Sequence, residues 1–168
     1  MTKENLRRRI FILILFFIVA LFLSGITAFP LESELAWLND NSGIFPADMQ
    51  RWIARVYEGI HVTGTQYPFL AYGTDWLAFA HIMIATAFIG PLRDPVKNKW
   101  VIDWGIISSV LVVPLALILG QVRGIPFMHQ LIDCSFGIVG LIPLLIVRRD
   151  IKKLELINAN INAEVNFS

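Results

Sequence analysis

The sequence predicts an all-α integral membrane protein with four transmembrane helices and with both termini in the cytoplasm. Hydrophobic residues make up 56% of the 168 residues and charged residues 16%, which is more apolar and less charged than a soluble protein. Four apolar runs are long enough to cross a bilayer. The basic clusters beside these runs all fall on one side when the helices alternate in direction, and that side is the cytoplasm. We expect residues 1–168 to form a single membrane domain, and the net charge of +1 gives no case for a nucleic-acid partner.

The first predicted transmembrane helix covers residues 10–29. It follows a basic cluster of Lys3 and residues 7–9, which places the N-terminus in the cytoplasm. A basic flank before an apolar core is also compatible with a cleaved signal peptide, because residues 24–28 are small enough for cleavage. The apolar stretch is longer than a usual signal core, and this favours an uncleaved helix.

Residues 30–74 are predicted to form a long, net acidic exoplasmic segment between the first two transmembrane helices. After Pro46, apolar residues recur at spacings of three and four, which is typical of an amphipathic helix lying at the membrane interface. These apolar residues are Met49, Trp52, Ile53, Val56, Tyr57 and Ile60. His61 comes next, and we expect it in a solvated polar loop.

Three further transmembrane helices and a cytoplasmic tail complete the predicted topology. They cover residues 75–92, 101–120 and 126–147, and the tail covers residues 148–168. Asp103 lies near the cytoplasmic end of the third helix, where we expect it to pair with a nearby lysine or arginine. With a single acidic residue in the inner half of the membrane, a proton-coupled transporter is disfavoured.

Small residues in the third and fourth helices predict close helix packing. Gly105, Ser108 and Ser109 supply them in the third helix, and Gly137 and Gly140 in the fourth. A lone cysteine, Cys134, excludes an intramolecular disulfide. We interpret it as a small packing residue.

The candidate site centres on His129 and Asp133, which lie four residues apart and share one face of the fourth predicted helix. An ionisable residue inside a transmembrane helix costs about 2.5–3.5 kcal/mol on insertion scales, so it marks a candidate functional site. His81 in the second helix lies at a depth similar to that of Asp133. Asp75 and Arg123 lie near the exoplasmic ends of their helices. The five side chains predict a polar pocket that opens outward.

Three kinds of chemistry suit His81, His129 and Asp133. Two imidazoles and a carboxylate can bind a zinc-like divalent metal and leave one position open for water. The same residues can act as acid and base without a metal, since a carboxylate beside a histidine stabilises its charged form. They can also form a structural polar clamp between two helices.

Two groups of residues give residues 75–147 a resemblance to VanZ-like bacterial membrane proteins, which are small four-helix proteins. Thr74-Asp75 through His81 resembles the Asp-to-His motif that opens the family's second helix. The family's second motif is an arginine followed by an aspartate and spaced glycines at the fourth helix. It resembles Arg123, Asp133, Gly137 and Gly140 here. In the same resemblance, Gln121 matches a polar residue before the arginine and becomes a further ligand-binding candidate. The resemblance implies a role in the bacterial envelope, with cell-wall or lipid-linked glycan material.

The predicted function follows from the pocket and from the resemblance. We expect a bacterial inner-membrane protein whose exoplasmic pocket binds or modifies an envelope lipid or a lipid-linked head group, with Arg123 holding an anionic group. One alternative is a non-enzymatic accessory or structural subunit of a membrane complex, in which the histidines and aspartate form the interhelical clamp. A second alternative is a membrane-embedded metal-dependent hydrolase. The expected partners are a membrane lipid, a lipid-linked substrate or another membrane protein.

Overall fold

A computed structural model describes residues 2–166, and all regular elements within this range are helical. The predicted all-α class is therefore confirmed. The α-helices are α1 (Lys3–Thr27), α2 (Leu31–Asp40), α3 (Ala47–Gln66), α4 (Ala71–Ala87), α5 (Ile89–Arg93), α6 (Lys99–Val122) and α7 (Phe127–Asn166). Short 3₁₀ turns at Ser42–Ile44 and Pro68–Leu70 flank α3.

Four helical segments of the described chain are long and apolar enough to cross a membrane. They are Lys3–Thr27, Pro68–Arg93, Lys99–Val122 and Phe127–Ile161. Each contains most of one predicted transmembrane helix, so the membrane class is supported by length and composition. The cytoplasmic and exoplasmic assignments stay predictions.

Three helices differ from their predicted extents. Helix α1 covers Lys3–Thr27, where residues 10–29 were predicted. The second predicted transmembrane helix is divided between α4 and α5, because Pro91 has no N–H to donate to the carbonyl four residues earlier. Helix α7 continues to Asn166, so the predicted tail at residues 148–168 is helical as far as it is described. Its apolar stripe continues through Ile151 and Leu154, which are 0% and 1% exposed, and this burial explains the extension.

The described chain divides into two compact units, and the single membrane domain stays a prediction. Unit 1 combines the described parts of residues 1–19 and 86–168, and unit 2 covers Ala20–Ala85. Each unit is described separately below.

In unit 1, α6 packs along α7, and the first turns of α1 are joined to α7 by Arg9 and Asp150. Its most completely buried apolar residues are Leu6, Ile10, Ile14, Phe88, Ile102, Leu144, Val147, Ile151 and Leu154. The predicted small residues bring the helices together. A Cβ added to Gly137 would lie 2.6 Å from the carbonyl oxygen of Ser109, and one added to Gly105 would lie 2.8 Å from the ring of Phe88. Cys134 is 6% exposed, as expected for a packing residue.

Ion pairs join the helices of unit 1 beside this core. The guanidinium of Arg9 donates two hydrogen bonds of 2.6 Å to Asp150, whose carboxylate is fully buried. Lys99 donates to Glu155 over 2.8 Å. Arg148 donates to Asp103, which confirms the predicted pairing of Asp103 with a nearby basic residue.

Unit 2 contains α2, α3 and most of α4. Helix α3 covers the predicted amphipathic segment, and Ile53 on its apolar face is 7% exposed. Its location at the membrane interface stays a prediction. His61 lies within α3 and not in a loop, because helical hydrogen bonding continues to Gln66, and its Nδ1 atom is 2.7 Å from Oε1 of Glu32 in α2.

Candidate functional site

A tight turn between α6 and α7 positions the candidate site within unit 1. Gly124 has a φ of 66°, a left-handed conformation that glycine adopts without steric cost. The backbone N–H of Ile125 then donates to the carbonyl of Gly120 over 2.8 Å. Pro126 follows, and its carbonyl accepts the N–H of His129 over 2.9 Å. The turn therefore fixes the first residues of α7 against the end of α6.

His129 and Asp133 lie on one face of α7, as their spacing predicts. The Nε2 atom of His129 is 3.8 Å from Oδ1 of Asp133. This distance is too long for a direct hydrogen bond but within ion-pair range. The side chains are 39% and 42% exposed, so both retain surface that a ligand or a partner can contact.

Arg123 and Gln121 lie at the other side of the same turn. Gln121 is in the last turn of α6, and Arg123 caps this helix through its N–H, which donates to the carbonyl of Leu119 over 2.9 Å. Both residues are exposed. Among the described side chains, Arg123 has no acidic partner, so its guanidinium remains available to an anionic group.

His81 and Asp75 belong to unit 2, where both are half-buried on α4. The Nδ1 atom of His81 is 2.8 Å from the carbonyl oxygen of Leu77. Since a carbonyl only accepts, Nδ1 is the donor of this hydrogen bond. The predicted meeting of His81 with His129 and Asp133 stays a prediction.

A metal site has no ready-made ligand set in the described part of the chain. Within it, no three His, Cys, Asp or Glu side chains come together in a group that could hold a metal ion. Binding of a zinc-like metal by His81, His129 and Asp133 therefore stays a prediction.

Gln130 is a polar residue of this turn that the sequence did not single out. It is 1% exposed and packs against Gly120, where an added Cβ would lie 2.6 Å from the Gln130 side chain. Its Nε2 atom donates to the carbonyl of Ile125 over 2.7 Å. Its Oε1 atom has no hydrogen-bond partner among the described residues. The available sequence signal was a glutamine inside an apolar run, where a polar side chain needs a specific partner.

The chain matches no protein-family model, no curated protein and no solved structure. The resemblance to VanZ-like proteins therefore stays a prediction.

Proposed function

We propose that this protein binds the polar head group of a lipid or of a lipid-linked molecule at the start of α7. His129 and Asp133 would contact the head group, and Arg123 would hold its anionic part. One observation carries the proposal: two ionisable side chains, each about 40% exposed, lie in a helix that is apolar enough to cross a membrane.

Exposing these ionisable groups to hydrocarbon is costly. A charged side chain in a transmembrane helix costs several kcal/mol unless it meets water or a polar partner. A head group at the end of α7 supplies hydrogen bonds to both side chains. The exposed guanidinium of Arg123, on the same turn, matches the geometry of a phosphate or a carboxylate.

Modification of the head group is a natural extension of binding. A histidine with a carboxylate nearby can act as a general base, because the carboxylate stabilises the imidazolium that forms. The basic clusters and the VanZ-like motifs favour the exoplasmic face of a bacterial inner membrane. Binding is the step to test first, since it requires no assumption about the reaction.

The experiment purifies the full chain in mild detergent and identifies the co-purifying lipid by mass spectrometry. We expect the wild type to retain a defined lipid or lipid-linked molecule and a His129→Ala/Asp133→Ala variant to lose most of it. Ser135→Ala is the matched control, because Ser135 is an exposed polar residue of the same helix that bonds only its own helix, at the Ile132 carbonyl. Equal retention by all three proteins would refute the proposal.

A second candidate is a non-enzymatic subunit of a membrane complex. It is favoured by Phe136, which is 69% exposed and lies one and two turns along α7 from Asp133 and His129. A helix of another protein that packs on Phe136 would also hydrogen-bond to His129 and Asp133. This candidate predicts a stable co-purifying protein that survives His129→Gln, whereas head-group binding predicts that this substitution weakens lipid retention.

A further inference from the structure

A second polar feature of unit 1 lies far along α7 from the candidate site. It is a cavity of about 730 Å³ between the first turns of α1, the segment that follows α5 and the C-terminal part of α7. We call it the basic cavity. Its charged lining residues are Glu4, Arg7, Arg8, Arg93, Asp94 and Lys97. Four of the six are basic, so the lining carries a surplus of positive charge.

The arginines of the basic cavity differ from Arg9, Lys99 and Arg148 in having no internal counter-ion among the described side chains. Arg9, Lys99 and Arg148 each pair with a carboxylate of unit 1. Lys97 lies 3.6 Å from Asp94. Among the described side chains, the three arginines of the cavity have no ion pair or hydrogen bond of their own, and all three are exposed.

The cavity also has an apolar wall. Ile10, Phe11 and Leu92 line it beside the arginines, and Ile10 begins the apolar run of α1. Guanidinium groups bind phosphate through paired hydrogen bonds. A ligand that joins a phosphate to a hydrocarbon chain would satisfy both the arginines and this wall. The volume is in the usual range for small-molecule sites.

Packing holds the walls of the cavity in place before any ligand arrives. The hydrogen bonds of Arg9 to Asp150 fix the turn of α1 that carries Arg7 and Arg8. On the other side, the Asn98 side chain donates to the carbonyls of Gly90 and Asp94 over 3.2 and 3.0 Å, which closes the segment that carries Arg93. A preorganised site loses less entropy when its ligand binds.

We propose that the basic cavity binds the phosphate of an anionic membrane phospholipid, with Arg7, Arg8 and Arg93 as its ligands. On the predicted topology this cavity faces the cytoplasmic leaflet, where basic pockets between transmembrane helices attract anionic head groups. The site shares no residue with the proposed site at the start of α7. Either proposal can therefore fail without the other.

The experiment titrates the full-length protein in neutral detergent with dioleoylphosphatidylglycerol, and separately with dioleoylphosphatidylcholine, and counts bound lipid by native mass spectrometry. The test variant is Arg7→Gln/Arg8→Gln/Arg93→Gln. The matched control is Arg149→Gln/Lys152→Gln/Lys153→Gln, which removes the same charge from exposed positions of α7 outside the cavity lining. Circular dichroism and thermal unfolding verify that each variant is folded.

We expect the wild type to prefer phosphatidylglycerol, the cavity variant to lose at least about tenfold in affinity for it, and the control to change by less than about threefold. An Arg7→Lys/Arg8→Lys/Arg93→Lys variant keeps the charge but loses the paired hydrogen-bond geometry, and should bind with intermediate affinity. If the cavity variant does not fold, the lysine variant provides the test. Its binding of phosphatidylglycerol at wild-type strength would overturn the proposal.

Two other results would also overturn it. An equal loss in the cavity variant and in the matched control would mean that only the overall charge of the surface attracts the lipid. Displacement of the lipid by an equal concentration of inorganic phosphate, at matched ionic strength, would assign the cavity to a free phosphate compound and not to a phospholipid.

Discussion

Asp133 and Asp150 lie on the same helix, α7, but differ in burial and in their partners. Asp150 is fully buried and receives two hydrogen bonds from Arg9. Asp133 is 42% exposed and lies 3.8 Å from His129, the neighbour on its own helix. A buried charge with a complete set of partners acts as a structural connection, because removing one partner leaves the other uncompensated. A partly exposed pair contributes less to the fold, because solvent weakens the interaction of its charges.

The largest effect should come from breaking the buried pair. Arg9→Gln leaves the Asp150 carboxylate buried without a counter-ion, and we expect the midpoint of thermal unfolding in detergent to fall by about 10 °C. Arg8→Gln removes the same charge from an exposed neighbouring position and should shift the midpoint very little. Equal shifts in the two variants would contradict a structural role for the Arg9–Asp150 pair.

The next effect tests whether α6 and α7 require their close contact at Gly137, which lies between Asp133 and Asp150. Gly137→Ala places a Cβ 2.6 Å from the backbone oxygen of Ser109, so the helices must separate at a cost of about 1–3 kcal/mol in the free energy of unfolding. Gly59→Ala in α3 is the control, since a Cβ there has no neighbour within 4 Å, and its better helix propensity should leave stability unchanged or higher. A neutral result for Gly137→Ala in chemical unfolding would show that the helices adjust freely.

A smaller effect is expected at a partly exposed ion pair. Asp103 and Arg148 have side chains that are 40% and 35% exposed, so solvent weakens their interaction. Asp103→Asn should lower the free energy of unfolding by about 1 kcal/mol or less. A loss as large as that of Arg9→Gln would mean that partial exposure does not distinguish the ion pairs of unit 1.

The smallest effect on stability should come from the exposed pair itself. Because the side chains of His129 and Asp133 are about 40% exposed, solvent weakens their interaction, and His129→Ala/Asp133→Ala should change the free energy of unfolding by less than about 1 kcal/mol. The yield and thermal midpoint of this variant in detergent provide the measurement. A substantial loss of folded protein would support the structural clamp and would remove the contrast between Asp133 and Asp150.

Hydropathy and helical spacing were sufficient to predict the membrane class and part of the site. The four apolar runs have spanning length, and the structure has a helix at each. The i, i+4 spacing of His129 and Asp133 places them on one face, as predicted. Their exposure and separation depend on how α7 packs against its neighbours, which the spacing does not encode.

The pairing of Arg9 with Asp150 could not be predicted because the two residues are 141 positions apart in the chain. Asp150 lies within a basic run at the start of the segment that was predicted to be a cytoplasmic tail. The apolar residues Val147, Ile151 and Leu154 continue at helical spacing through this run, and they were the signal for the extension of α7. The basic cavity could not be predicted for the same reason. Three parts of the chain that are far apart in sequence line it together, namely α1, the segment that follows α5, and α7.

Helix α7 is longer than the hydrocarbon core of a bilayer requires. At 1.5 Å per residue its 40 residues extend about 60 Å, roughly twice the thickness of the hydrocarbon core of a bilayer. Residues 148–166 continue about 28 Å beyond the predicted transmembrane helix, and Asp150 and Glu155 join the first part of this stretch to α1 and α6. A change of about 10° in the tilt of α7 would move its tip by about 5 Å. A fluorophore attached near Asn160 would report such a tilt mainly as a sideways displacement, because the tip of a helix near the membrane normal moves almost parallel to the membrane.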